Sequence, residues 1–224
     1  MLNMIASSNG LATRKGLSGQ LGGDEDKALF RTLRSLSDFI LVGLRTVHDE
    51  QYKPPRLTEE EIEERKLSGK RLLPRITVVS NSLKINRETP LFSSDTYSPT
   101  LLTSESSRDA EKTKLLERYE IISAGKERVD FREGIDKLTM QRGQIVLVEG
   151  GPSINKQLVA ADLFDELCIT FSPFYSDDLD SAIVTTDKSY PSGHFEEVRK
   201  IEINGFTFSR YLRNRGIQKS LANR

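Results

Sequence analysis

A strand, a pair of glycines and a helix follow one another after residue 145, and this order restricts the folds that the chain can adopt. The apolar run Ile145–Val148 ends at the segment EGGPS (149–153), and the helical pattern SINKQLVAADL then leads to a second apolar run, DELCITFSPF. Two parallel strands of one sheet need a crossover connection of this kind, usually a helix. The segment therefore predicts a βαβ unit with a carboxylate and two glycines at the carboxyl end of its first strand.

The same alternation extends along the chain. Short apolar runs bounded by turn residues predict five further strands: LNMIAS, FILVG, RITVVS, TLLTS and EIISAG. Helical patterns occur in GDEDKALFRTLRSLSD, TEEEIEERK and FREGIDKLTMQR. The first of these places Leu29, Leu33 and Leu36 on one face with Phe30 beside them, and the second begins with the capping box of Thr58 and Glu61.

The segment FEEVRKIEINGFTFSRYLR consists of two alternating runs around Asn204-Gly205, which predicts an antiparallel hairpin. Strands separated by helices predict a mainly parallel sheet, and the hairpin adds antiparallel strands at its edge. We find no internal repeat and no long linker, so we expect one domain of the α/β class over residues 1–224.

Charge and composition exclude several classes of function. Lys plus Arg and Asp plus Glu both number 33, and this balance argues against a nucleic-acid partner, which usually demands a basic surplus. No apolar run reaches the roughly 18 residues of a membrane span, and the first residues lack the apolar region of a signal peptide. The single cysteine, Cys168, excludes an intrachain disulfide. We therefore expect a reduced, cytoplasmic protein that does not bind membranes.

The segment EGGPS is a candidate phosphate cradle. Gly150 and Gly151 have no Cβ that would keep a ligand away from the backbone. Pro152 suits the first turn of a helix, where free N–H groups attract anions. The alternative is an ordinary glycine-proline start of a helix with a solvent-exposed Glu149, and the pattern alone leaves both interpretations open.

A second candidate segment, LRTVHDEQYKPP, follows the strand FILVG. It contains His48-x-Glu50, the first half of a zinc-deaminase signature, but the second half needs two cysteines. With one cysteine and only His48 and His194 as histidines, we expect no metal site.

Three segments in the same order resemble a known family. They are NMIASSNGLAT, then GLSG to DEQY with the core LRSLSDFILVGLRTVHDEQY, and finally LVEGGPSINKQLVAADLFDELCITFSPF. Together they are similar to the pyrimidine reductase of riboflavin biosynthesis, the reductase half of a bifunctional deaminase-reductase, here standing alone without a deaminase domain. The resemblance implies a dihydrofolate reductase-like three-layer α/β/α fold and a homodimer. It also implies that NADPH reduces the ribosyl group of a ribosylamino-pyrimidine 5′-phosphate to ribityl, by hydride transfer to C1′.

The resemblance also implies roles for individual residues. It places the substrate against Ser18, Arg34 and Glu149, with Arg34 as the ligand of its phosphate. Glu149 and Glu50 are the candidate catalytic acids, one of which would protonate the imine nitrogen or stabilise its charge. The expected NADPH contacts are Ala6, Thr46, Glu50, Gly150, Gly151, Pro152, Ser153, Ile154 and Asn155, with Ser80 and Thr103 on the adenosine phosphate side.

The chain departs from the family pattern at two positions. Asn9-Gly10 replaces the usual Asp-Gly after the first strand, and Asp49 stands where a small residue is common. These departures leave two alternatives open: a reductase of the same fold that acts on a dihydropterin or another heterocycle, and a dinucleotide-binding module without catalytic activity.

Overall fold

The computed structural model describes residues 1–107, 109–139, 144–179, 181 and 195–214. Within this part of the chain, nine strands form one sheet: β1 (Leu2–Ala6), β2 (Phe39–Gly43), β3 (Arg75–Val79), β4 (Thr100–Thr103), β5 (Ile121–Ser123), β6 (Val146–Val148), β7 (Glu166–Phe171), β8 (Phe195–Ile203) and β9 (Phe206–Arg213). The described helices are α1 (Asp24–Leu36), α2 (Leu44–Asp49), α3 (Glu59–Leu67), α4 (Pro90–Ser93), α5 (Asp109–Leu116), α6 (Phe131–Leu138) and α7 (Pro152–Ala160).

The strand order is β5-β4-β3-β2-β6-β1-β7-β9-β8. Neighbouring strands from β5 to β7 pair in parallel, whereas β9 pairs antiparallel with both β7 and β8. The turn between β8 and β9 is Asn204-Gly205, with positive φ at both residues, as a two-residue hairpin turn requires. The predicted fold class, a mainly parallel α/β sheet with a C-terminal antiparallel hairpin, is confirmed.

The sheet has helices on both faces, which gives three layers. Alternate residues of β2 enter two separate cores, because successive side chains of a strand point to opposite faces. Ile40 and Val42 pack with side chains from α1, α2 and α4, whereas Phe39 and Leu41 pack with side chains from α6 and α7. The βαβ unit predicted after residue 145 is β6-α7-β7, with β1 between its two strands.

Two residues of the apolar patterns are not buried. Ile145 lies before the start of β6 and is 36% exposed, and Leu36, in the last turn of α1, is 52% exposed. The helices α2, α4 and α5 were not predicted from the sequence. In α4 the side chains of Leu91 and Phe92 enter the core, although the surrounding polar and proline residues resemble a loop.

The topology brings the candidate functional residues together at one edge of the sheet, where its parallel strands end. Because parallel strands end on the same side, the residues that follow β1, β2 and β6 lie next to one another, and ligands of open α/β sheets bind outside such carboxyl ends. Among the described residues, no helix is both long and apolar enough to cross a membrane.

Candidate active site

Glu149, directly after β6, accepts three hydrogen bonds through its carboxylate. Arg34 of α1 donates from Nε to Oε1 and from Nη2 to Oε2, both at 2.7 Å, and the Tyr52 hydroxyl donates to Oε2 at 2.8 Å. The side chain of Glu149 is 1% exposed and that of Arg34 is 15% exposed. A two-pronged pair of this kind fixes the plane of the carboxylate as well as its position.

Two aromatic rings flank the guanidinium of Arg34. Its Cζ lies 4.3 Å from the centre of the Phe30 ring and 5.1 Å from that of Tyr52. Burial lowers the pKa of Arg34, but the charge and hydrogen bonds of Glu149 outweigh it and raise that pKa above its ordinary value. Burial, followed by the charge of Glu149, raises the pKa of Tyr52 well above 10.0. Arg34 therefore stays cationic and the Tyr52 hydroxyl stays protonated.

The second candidate acid, Glu50, accepts hydrogen bonds from the loop that precedes α1. Its Oε1 accepts from the backbone N of Ser18 at 2.6 Å and from the Ser18 hydroxyl at 2.7 Å. The neighbouring Asp49 instead faces Arg45, at 3.4 Å, and its side chain is 53% exposed. The two adjacent carboxylates thus have different partners.

The glycine pair lies against the end of β2. The N–H of Gly43 donates to the carbonyl of Gly150 at 2.9 Å, and the peptide bond between Gly150 and Gly151 is cis. A Cβ on Gly151 would lie 2.8 Å from the Thr46 hydroxyl oxygen, so this position is closed to a larger residue.

The amino end of α7 follows the glycine pair. The N–H groups of Ile154 and Asn155 both donate to the carbonyl of Gly151, and Pro152 has no N–H. A ligand at this helix end would therefore meet the N–H groups of Gly151 and Ser153. The buried Asn155 side chain lines the cavity and donates from Nδ2 to the Met4 sulfur at 3.0 Å.

These groups surround one cavity of about 1310 Å³. Sites for single small ligands occupy roughly 300–1,000 Å³, so this cavity has room for two molecules side by side. Its walls contain Ser18, Arg34, Thr46, Glu50, Tyr52, Glu149, Gly150, Gly151, Pro152 and Asn155, together with Asn3, Asp26, Lys27, Phe30, Arg45 and Lys53.

The sequence profile of the RibD C-terminal domain matches residues 1–201. The chain belongs to this family. A relative from Methanothermobacter thermautotrophicus, named 2,5-diamino-6-ribosylamino-4(3H)-pyrimidinone 5′-phosphate reductase, is 28% identical over 77% of this chain and 76% of its own length. A relative of the same name from Archaeoglobus fulgidus is 27% identical over 84% of this chain and 86% of its own.

A solved structure is also similar. The pyrimidine reductase-like protein of Corynebacterium diphtheriae superposes with a TM-score of 0.85 and 29% identity, covering 96% of this chain and 91% of that one. The family and these relatives confirm the resemblance to the riboflavin-biosynthesis pyrimidine reductases that the sequence motifs indicated.

Most of the predicted site residues come together, and five do not line the cavity: Ala6, Ser80, Thr103, Ser153 and Ile154. Ser153 and Ile154 lie in the first turn of α7, directly after the glycine pair. Ala6 is buried, and its carbonyl accepts from Ser172. The Ser80 hydroxyl accepts from the N–H of Leu83 at 3.0 Å, and the Thr103 hydroxyl bonds to that of Ser107. Ser80 and Thr103 nevertheless lie at the same edge of the sheet, at the ends of β3 and β4.

Two features of the site were not recognised in the sequence. Tyr52 is the aromatic residue of the segment HDEQY, and an aromatic residue beside two acids gave no distinct signal. Asp26, Phe30 and Arg34 are spaced by four residues along α1 and thus share one helical face. The leucines of α1 predicted the helix, and this second periodicity on its polar side was not recognised. Of the two histidines, His48 accepts a hydrogen bond from the N–H of Asn86, and His194 lies outside the described residues.

Proposed function

We propose that the protein is an NADPH-dependent reductase that converts the ribosyl group of a ribosylamino-pyrimidine 5′-phosphate to ribityl. The observation that carries this proposal is the buried Glu149 carboxylate, held by Arg34 and Tyr52 in the same cavity as the glycine pair. The reductase names of both relatives support the reaction class.

The residues at the glycine pair fit a dinucleotide. Gly150 and Gly151 let a pyrophosphate approach the backbone, and the amino end of α7 provides the positive end of a helix dipole. When bound, the nicotinamide supplies the hydride for C1′ of the opened sugar. Thr46, whose hydroxyl lies against Gly151, would border the cofactor on the side of β2.

Ser80 and Thr103 remain candidates for the adenosine phosphate. Three strand spacings separate β6 from β4, a distance of roughly 14 Å along the carboxyl edge of the sheet. An extended dinucleotide that starts at the glycine pair could reach both hydroxyls over this distance.

Glu149 is proposed to face the reacting carbon as a carboxylate. As the imine nitrogen gains a proton, positive charge develops beside C1′, and a fixed carboxylate in a buried site stabilises that charge. Because both oxygens of Glu149 already accept hydrogen bonds, its orientation is set before the substrate arrives.

Arg34 remains the proposed ligand of the substrate phosphate. Its guanidinium has five N–H groups, and the pair with Glu149 uses two of them. Lys27, Arg45 and Lys53 also line the cavity and add positive charge for a phosphorylated substrate. Glu50 would hold the Ser18 loop over the junction between cofactor and substrate.

The decisive experiment follows NADPH oxidation at 340 nm with the ribosylamino-pyrimidine phosphate and with dihydrofolate in parallel, and NADH as the alternative reductant. We expect oxidation with the pyrimidine phosphate and NADPH only. Oxidation with dihydrofolate alone would contradict the substrate, and no binding of NADPH in a direct titration would contradict the cofactor. Glu149→Gln, which keeps the shape of the side chain, should lose kcat and retain NADPH affinity, whereas Glu50→Gln should change NADPH affinity more than kcat.

A further inference from the structure

Tyr52 belongs to the hydrogen-bond network of Glu149, but no step of the proposed reaction depends on it. The turn that carries Tyr52 is a Schellman motif at the end of α2. In this motif the N–H of Gln51 donates to the carbonyl of His48 at 3.3 Å. The N–H of Tyr52 donates to the carbonyl of Val47 at 3.0 Å. The motif reverses the chain and turns the Tyr52 ring towards the core cluster that contains Val47.

The turn requires an unusual backbone conformation at Gln51. Its φ is 50°, in the left-handed region that glycine occupies most readily. A non-glycine residue is strained there, and such strain persists only where the surrounding structure enforces it. Here the motif delivers two polar side chains to the same cavity: Glu50 at the C-cap of α2, and Tyr52 two residues later. The position of the Tyr52 hydroxyl is therefore set by the backbone as well as by its partner.

The carboxylate of Glu149 has about four acceptor sites, two on each oxygen. From the described residues, Oε2 accepts two hydrogen bonds, one from Arg34 Nη2 at 2.7 Å and one from the Tyr52 hydroxyl at 2.8 Å. Oε1 accepts one, from Arg34 Nε at 2.7 Å. The acceptor site that is left belongs to Oε1, and Glu149 lines the cavity. Tyr52 thus determines which oxygen of the carboxylate a ligand can use.

The Tyr52 hydroxyl is a fixed hydrogen-bond donor and not a source of protons. Burial, followed by the charge of Glu149, raises the pKa of Tyr52 well above 10.0. A relay of a proton from Tyr52 through Glu149 to the imine nitrogen would leave a buried phenolate beside a carboxylate. Two negative charges at hydrogen-bonding distance repel each other strongly where water is excluded. The arrangement favours a permanent hydrogen bond over proton transfer.

We infer that Tyr52 is a positioning residue of the reductase: its hydroxyl saturates Oε2 of Glu149, so that Oε1 alone meets the positive charge that develops on the substrate. The inference rests on the proposed function and specifies which oxygen of Glu149 acts. A carboxylate held in this way stabilises the developing charge without having to reorient during the reaction.

Single-turnover kinetics tests the role of Tyr52. The loss of NADPH absorbance with enzyme in excess over the ribosylamino-pyrimidine phosphate reports hydride transfer, and its rate constant at saturating enzyme is independent of the folded fraction. Tyr52→Phe keeps the ring and removes the hydroxyl. We expect the rate constant to fall about tenfold, the effect of one hydrogen bond to a charged group. The dissociation constant of NADPH should stay unchanged.

The matched control is Tyr97→Phe. It also removes an enclosed tyrosine hydroxyl, which donates to the carbonyl of Pro74 at 2.9 Å and lies outside the lining of the cavity. This variant should retain the wild-type rate constant.

Glu149→Gln shows whether Tyr52 acts through the carboxylate. In that background, Tyr52→Phe should change the rate constant by about twofold or less, because two residues that act as a unit are not additive. Infrared spectroscopy provides a readout without substrate. The carboxylate bands of Glu149 are isolated as the difference between each protein and its Glu149→Gln counterpart. They should shift in Tyr52→Phe and stay in place in Tyr97→Phe.

A wild-type rate constant in Tyr52→Phe, or a tenfold loss that persists in the Glu149→Gln background, would overturn the inference. Unshifted carboxylate bands in Tyr52→Phe would overturn it as well. If the wild type reduces neither the pyrimidine phosphate nor dihydrofolate, the proposed function fails, and the infrared comparison then decides whether Tyr52 positions Glu149.

Discussion

Arg34 is expected to have two separable effects at the scale of single residues. Arg34→Ala leaves Glu149 as a buried carboxylate that keeps only the Tyr52 hydroxyl as a partner, and loss of one member of a buried pair costs about 3–5 kcal/mol. We expect kcat to fall at least tenfold with both a phosphorylated and a dephosphorylated substrate, because Glu149 loses its orientation. KM should rise tenfold to a hundredfold only for the phosphorylated one. Steady-state kinetics on both substrates separates the two roles.

The control for this experiment is Arg34→Lys, which keeps the charge but loses the two-pronged contact. It should recover part of the stability, measured by urea unfolding, and little of the kcat. If Arg34→Ala leaves kcat unchanged with the dephosphorylated substrate, Arg34 does not position Glu149.

Asn9 has a structural reason to be an amide. Its Nδ2 donates to the carbonyl of Ser176 at 2.9 Å, while its Oδ1 accepts from the Ser7 hydroxyl at 2.8 Å and from the N–H of Ser176 at 3.1 Å. An aspartate cannot donate the first of these bonds. We therefore expect Asn9→Asp to lower the free energy of unfolding by about 1 kcal/mol in a urea titration. Equal stability of the two proteins would show that the bond to Ser176 contributes nothing.

At the scale of elements, the junction of β6 and α7 makes the cofactor proposal testable. Gly151→Val should abolish NADPH binding in a fluorescence titration, because the branched side chain enters the space beside the backbone. That side chain would also collide with Thr46, whose hydroxyl lies 2.8 Å from the Cβ position. The double variant Gly151→Val with Thr46→Ala removes this collision, and Thr46→Ala alone is its control. A folded double variant that binds NADPH as tightly as Thr46→Ala would exclude the glycine pair as the cofactor site.

Hydrophobic periodicity predicted the strands and helices that have a strong sequence pattern. It did not predict elements whose structure is determined by packing against the core. The strands FILVG and RITVVS and the Asn204-Gly205 hairpin were recognised because their residues agree with the local structure. The helix α4 was missed because only its contacts with the core, through Leu91 and Phe92, distinguish it from a loop.

The candidate site could also be predicted only in part, because only some of its residues have a local sequence signal. The glycine pair and the two glutamates carry local signals, whereas the pair of Arg34 with Glu149 joins residues 115 positions apart. Only the topology, which places α1 over the end of β6, brings them into contact. The spacing of Asp26, Phe30 and Arg34 by four residues is visible in the sequence and predicts one helical face. The sequence does not show that this face lines a cavity.

At the scale of the whole molecule, the two edges of the sheet differ. One edge is β5, a strand of three residues, and short edge strands protect a sheet against pairing. The other edge is β8, with nine residues, of which Val198, Ile201 and Ile203 are 37–45% exposed. The length of this edge strand and its three exposed apolar side chains favour a second copy as its partner, in agreement with the homodimer that the family resemblance implies. We propose that the dimer forms near residues 165 to 212, of which 180 and 182–194 lie outside the described residues.

Light scattering at micromolar concentration tests the dimer. We expect twice the mass of the 25.3 kDa chain for the wild type. Ile201→Asp should give a monomer, because it would place a charge in an apolar contact, and burial of an unpaired charge is strongly unfavourable. Lys200→Ala is the matched control, since alternation along β8 puts Lys200 on the opposite face from Ile201. It should remain dimeric.

Two outcomes would contradict this prediction. A wild type that is monomeric at these concentrations would exclude the dimer, and a dimer that survives Ile201→Asp would place the contact elsewhere. Because the cavity lies at the carboxyl edge of the strands and β8 at the lateral edge, we expect the monomeric variant to bind NADPH normally.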